Sequence, residues 1–168
     1  LINGVSKSYA MTGWRIGYVA APANISKLIG NYLSHCISSP CSISQKAAAA
    51  ALSGSQETVE AMRKAFEERR NYMVDRMNQI EGVSCIQPHG AFYVMMNIEK
   101  LVGKELFGHV IQDSDDFGKL FLQYGKVAVV PGTSFGAPNF VRWSYATSIE
   151  NIKEGLDRLE KFLRGEAV

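Results

Sequence analysis

Residues 16–21 are apolar around one glycine, and Pro22 follows. The pattern predicts a short buried strand and then a breaker. Asn24 is a good N-cap, and a helix is expected after it. Ile25, Leu28, Ile29, Tyr32, Leu33 and Cys36 recur on one face of that helix at helical spacing. Ser39-Pro40 interrupts. Ser42 and Gln45 have the spacing of a capping box ahead of an alanine-rich helix that Gly54 ends. A long helix is expected over 56–79. Val59, Met62, Phe66, Met73, Met77 and Ile80 form its narrow apolar stripe, and the rest is mostly charged. Such a helix suits either a connector between domains or the surface of a single domain.

From Gly82 the period changes. Residues 83–87 and 91–97 read as strands joined by the turn Pro88-His89-Gly90. Residues 113–124 read as a helix with Phe117, Leu120, Phe121 and Tyr124 inward, stopped by Gly125. Strands are expected over 127–130 and 140–145. A last helix starts at a Thr147-x-x-Glu150 capping box, with Ile149, Ile152, Leu156, Leu159 and Leu163 as its core stripe. The fold class is α/β, strands covered by helices.

Composition narrows the function classes. Of 168 residues, 46% are hydrophobic, which excludes a disordered chain. The formal charge of +2 makes no electrostatic case for nucleic acid or an anionic membrane as partner. No apolar run approaches a bilayer span. Cys36, Cys41 and Cys85 lack CxxC spacing, and His35, His89 and His109 are scattered, so no metal site is implied; the cysteine usage suits a reducing, cytoplasmic setting. The opening Leu1-Ile2, without Met, reads as the end of a strand whose start is elsewhere, so the chain is expected to be a fragment.

Three cationic residues are candidates for chemistry. Lys7 follows a strand in the hydroxyl-rich stretch Ser6-Lys7-Ser8-Tyr9. Partial desolvation there would make its amine nucleophilic, and the alternative is an ordinary surface lysine. Arg15 lies between Trp14 and Ile16 and would pair with phosphate or with a structural carboxylate. Arg142 shares a strand face with Phe140 and Ser144, opposite Val141, Trp143 and Tyr145. It would clamp a carboxylate, face solvent or form a salt bridge. His89 is assigned no role, and Cys85 is read as an inert buried thiol.

The stretch Ser6-Lys7-Ser8-Tyr9-Ala10-Met11-Thr12-Gly13-Trp14-Arg15-Ile16-Gly17-Tyr18 resembles the cofactor-lysine motif of the pyridoxal-phosphate-dependent class I/II aminotransferases, of the aspartate aminotransferase kind. Val130-Pro131-Gly132-x-x-Phe135-Gly136, followed by the stretch from Val141 to Ser148, resembles their substrate-carboxylate motif. Gly90-Ala91-Phe92-Tyr93 resembles their first small-domain strand. The resemblance implies the C-terminal part of the fold-type-I fold. Residues 1–54 would be a piece of the large cofactor domain, 55–80 an interdomain helix, and 81–168 the small domain. It implies that Lys7 carries pyridoxal phosphate as a Schiff base and moves a proton at the substrate α-carbon. Arg15 would bind the cofactor phosphate and Arg142 the substrate carboxylate. Many relatives place a phosphate-binding hydroxyl three residues before the lysine. Here that position is Gly4, and Ser6 is the substitute.

The implied reaction moves an amino group between an amino acid, aspartate or glutamate, and a 2-oxo acid. Aromatic and prephenate aminotransferases stand beside it, and a ligand-sensing, non-catalytic regulator domain is the alternative of another class. The family implies a homodimer. It also implies a pyridine-pairing aspartate, a stacking aromatic and a glycine-containing phosphate loop that these residues lack. The fragment alone is therefore expected to be inactive, with 1–54 ordered only through further protein.

Overall fold

Two glycines face each other near the start of the chain, in a computed structural model that describes residues 1–168. β1 (Ile2–Gly4) pairs antiparallel with β2 (Gly17–Val19), with Gly4 opposite Gly17. A methyl group on Gly17 would lie 3.1 Å from the Asn3 carbonyl oxygen, so the strands approach closely because no side chain intervenes. β2 is shorter than the strand expected over 16–21, and it is not buried: Val19 is exposed. A two-stranded ribbon offers no further strands to cover it.

α1 (Ala23–Cys36) starts earlier than expected. Pro22 is its cap, and the first helical bond runs from the Ser26 amide to the Pro22 carbonyl at 2.9 Å, so Asn24 lies inside the helix. The predicted apolar stripe forms, but none of it is buried; Leu28 and Tyr32 remain 68% and 70% exposed. α2 (Ser42–Ser53) is capped by Cys41, not Ser42. Gln45 donates instead to the Pro40 carbonyl (2.9 Å), so the expected capping box does not form. Gly54 ends the helix as expected.

α3 (Glu57–Met77) buries Met73, Val74 and Met77, and Ile80 continues its stripe beyond the helix end. The chain divides into two compact units inside this helix, residues 1–63 and 64–168.

The second unit holds the core. β3 (Ser84–Cys85) is cut short because the Asn78 side-chain amide pairs with its outer edge, accepting from the Cys85 amide (2.8 Å) and donating to the Cys85 carbonyl (3.1 Å). β4 (Tyr93–Asn97) follows, then a small hairpin of β5 (Glu105–Leu106) and β6 (His109–Val110) that periodicity did not suggest. α4 (Ser114–Gly125) is capped by Asp113, whose carboxylate accepts from the Asp115 and Asp116 amides. Gly125 is its last residue rather than its stop. A Cβ there would meet the Phe121 ring at 2.4 Å, and Lys126 supplies the left-handed turn.

β7 (Val130–Pro131) is half the length of the strand expected over 127–130. β8 (Phe140–Ser144) and α5 (Ile149–Leu163) complete the unit. Ser148, not Thr147, caps α5 by accepting from the Asn151 amide, so Glu150 falls one place short of a capping-box partner. The antiparallel sheet has the order β3-β4-β8-β7. Val94, Met96, Val141 and Trp143 are buried on one sheet face, in one cluster with Leu156, Leu159 and the rings of Phe117, Phe121 and Phe162. The last three rings sit 5.1–5.6 Å apart. Truncating one such ring costs about 3–5 kcal/mol.

Candidate functional site

Lys7 sits in the loop between β1 and β2, and hydrogen bonds shape that loop. The Thr12 hydroxyl donates to the Ser6 carbonyl at 2.9 Å. The Tyr9 amide turns back to the Val5 carbonyl (3.3 Å), and the Tyr9 hydroxyl donates to Gln56 (2.8 Å). Val5 is fully buried and anchors the strand end, while Lys7 is exposed rather than desolvated.

Arg15 closes the same loop. Its backbone is left-handed (φ 51°), a conformation that costs a non-glycine residue about 1 kcal/mol. Both its amide and Nη1 donate to the Thr12 carbonyl, at 3.4 and 2.9 Å. The chain Ser6–Thr12–Arg15 thus ties the hydroxyl-rich turn to the guanidinium. Arg15 is exposed, not buried as expected. Its printed side-chain bond goes to a backbone carbonyl rather than to a carboxylate. The sequence carries a further signal: residues 1–56 contain no Asp or Glu, yet hold Lys7, Arg15, Lys27 and Lys46. An acid-free stretch carrying these cations favours an anionic ligand.

Arg142 lies in the second unit, on the face of β8 away from the core, as the alternation of Val141, Trp143 and Tyr145 predicts. It is half-buried. Its guanidinium carbon lies 4.3 Å from the Tyr93 ring centre and 4.6 Å from that of Phe135. Its Nε is buried with no acceptor. Leaving a buried donor unpaired costs about 1–3 kcal/mol, which an incoming acceptor at this group would offset.

The loop that carries Phe135 depends on one glycine. A Cβ at Gly132 would stand 2.2 Å from the Ala137 carbonyl oxygen and 2.4 Å from that of Phe140. Residues Gly132–Phe135 form a tight 3₁₀ turn that ends left-handed at Gly136. The buried Ser114 hydroxyl accepts from the Thr133 amide (3.2 Å) and pins that turn to α4. Below Tyr93, the Tyr145 hydroxyl donates to the Ala91 carbonyl (2.9 Å); burial raises the pKa of this phenol above its ordinary value.

His89 is exposed and joins no site. Cys85 is half-buried, and burial raises its pKa, in keeping with an inert thiol. No helix is long and apolar enough to cross a membrane.

The family model for "Aminotransferase class I and II" matches residues 1–159. The chain belongs to this family. It is 47% identical to an aspartate aminotransferase of Geobacillus stearothermophilus over 167 residues, which are 99% of this chain and 42% of that one. It is 46% identical to an aspartate/prephenate aminotransferase of Cereibacter sphaeroides, over 97% of this chain and 41% of that one. The crystal structure of the Rhizobium meliloti aspartate aminotransferase superposes with a TM-score of 0.93 at 41% identity, covering 97% of this chain and 41% of that one. The chain thus spans about two fifths of the length of these relatives. Its mixed α/β fold is the C-terminal part of the fold-type-I fold, as the resemblance implied.

The donor set fits the family's cofactor, pyridoxal phosphate. An amine, hydroxyls and a guanidinium held at a neutral carbonyl share one acid-free loop. The amine suits an aldehyde and the other groups suit a phosphate.

Proposed function

We propose that this chain contributes to pyridoxal-phosphate-dependent transfer of an amino group between an amino acid, aspartate or glutamate, and a 2-oxo acid. The observation that carries the reading is Arg142, a guanidinium under two rings with a buried unpartnered Nε and no carboxylate of its own. Pyridoxal phosphate supplies the electron sink for carbanion chemistry when bound. Lys7 would hold it by its amine and would move a proton at the substrate α-carbon. Arg15 and Ser6 bind the phosphate, with Thr12 fixing both through its hydroxyl and carbonyl. Arg142 fixes the α-carboxylate, which orients the bond to the departing proton.

In this reading 1–54 belongs to the cofactor domain, 55–80 is the interdomain helix and 81–168 the small domain. The whole protein is a cytoplasmic homodimer, and further residues complete the site. Relatives bearing enzyme names at 40–47% identity favour catalysis over ligand sensing. The test is reductive trapping. Pyridoxal phosphate is added, the adduct is reduced with borohydride, and peptides are mapped by mass. Label concentrated on Lys7, lost in Lys7→Ala and weakened in Arg15→Ala, is expected. Label spread evenly over Lys7, Lys27 and Lys46 overturns the reading.

A further inference from the structure

We propose that Tyr93 and Phe135 are positioning residues that hold the Arg142 guanidinium as a fixed fork for a planar carboxylate. The proposal rests on the reading of Arg142 as the carboxylate ligand and adds the device that makes it selective.

Strand order creates the device. β8 runs between β4 and β7, and Arg142 lies opposite Met95 on one neighbour and Val130 on the other. Tyr93 is two residues from Met95 and so shares its sheet face. Phe135 arrives from the other side, on the turn that follows β7. The two rings therefore reach Arg142 from both flanks of its own strand, at 4.3 and 4.6 Å from the guanidinium carbon. Phe135 is 53% exposed and belongs to no core cluster. Burial does not explain its place; contact with Arg142 does.

Rings over a guanidinium attract its charge and leave its in-plane N–H edge for an acceptor. A flat carboxylate can meet that edge with two parallel hydrogen bonds. A free arginine side chain would lose rotamer entropy on binding, and the rings remove most of that loss beforehand. Both contacts come from the motif segments, Gly90-Ala91-Phe92-Tyr93 and Pro131-Gly132-x-x-Phe135-Gly136, so the motifs serve one side chain.

The test follows the Arg142 Nε–H signal by nitrogen NMR in the intact chain, assigned by its loss in Arg142→Leu. Side-chain order is measured first without ligand. Arg142 is expected to be ordered in the wild type, Tyr93→Phe and Phe135→Tyr, and loosened in Tyr93→Leu and Phe135→Leu. Succinate is then titrated. The Leu variants should bind it about three- to tenfold more weakly, with the aromatic variants near wild type. Unchanged backbone amide spectra separate this loss from unfolding. Succinate bound equally well by all variants, with equal Arg142 order, overturns the aromatic clamp. A wild-type Arg142 signal that succinate does not move overturns the carboxylate reading instead, and the ligand-free order data distinguish the two failures.

Discussion

Residues 1–63 and residues 64–168 solve different problems. The first unit buries only two hydrophobic side chains, Val5 and Ala48, whereas the second buries twenty in a single cluster. Yet the first holds the lysine and the arginine proposed to bind the cofactor, in a loop closed by hydrogen bonds rather than by packing. A cationic amine loop needs access, and a core needs exclusion of water. The contrast teaches that helix pattern and helix burial are separate facts. α1 and α5 both carry a clean apolar stripe, but α5 buries Ile152, Leu156, Leu159 and Phe162, while α1 buries none of its stripe. The apolar face of α1 stays open to solvent.

The largest effect that would break this comparison is mutational. Phe162→Ala should destabilise the second unit by about 3–5 kcal/mol, because the ring meets Phe117, Phe121 and Phe107. Leu28→Ser on α1 should change stability by less than about 0.5 kcal/mol, as expected of an exposed position. Denaturant melts of both variants check this. A comparable loss from Leu28→Ser would show that α1 is covered after all.

A smaller effect separates the thiols. Cys41 is exposed, and the Ser44 and Ile43 amides at the start of α2 lower its pKa; burial raises that of Cys85. Iodoacetamide at neutral pH should therefore modify Cys41 well before Cys85, as timed by peptide mass spectrometry. The reverse order would contradict the different exposure of the two units.

The smallest effect is electrostatic. Arg76 on α3 pairs with Glu160 and Asp157 on α5. The hydrogen bond from Arg76, then its charge, lowers the Glu160 pKa below the ordinary carboxylate value. A depressed folded-state pKa contributes stability above the unfolded value, and the contribution is lost as pH falls through the folded value. Glu160→Gln should thus cost a little stability at pH 7 and show a shallower loss on acidification. Melts across pH 7 to 3 measure the difference in slope.

Much of this was legible from residue patterns, for physical reasons. The stripe of α5 and the alternation of β8 are sustained over enough residues to fix face and period. The α5 cap lies one residue from the expected one because Thr147 and Ser148 are neighbours with similar capping chemistry, while α1 and α2 start at Pro22 and Cys41, which make no side-chain cap bond for a pattern to show. The β5–β6 hairpin has two paired residues per strand, too few to show alternation. Lys7, Arg15 and Arg142 stood out through motif and spacing. The roles of Tyr93, Phe135 and Thr12 did not, since Tyr93 and Phe135 meet Arg142 only through strand order, and Thr12 acts through its own backbone carbonyl.

The buried core lies in 64–168, and the proposed cofactor loop lies in the lightly packed 1–63. Hydrogen exchange of the monomeric chain, with and without pyridoxal phosphate, tests this division most directly. The account predicts slow exchange in β4, β8, α4 and α5, much faster exchange over 1–56, and added protection confined to 1–20 when pyridoxal phosphate is present. Protection of 1–56 equal to that of α5 in the free chain, or a cofactor effect centred on 64–168, would contradict it.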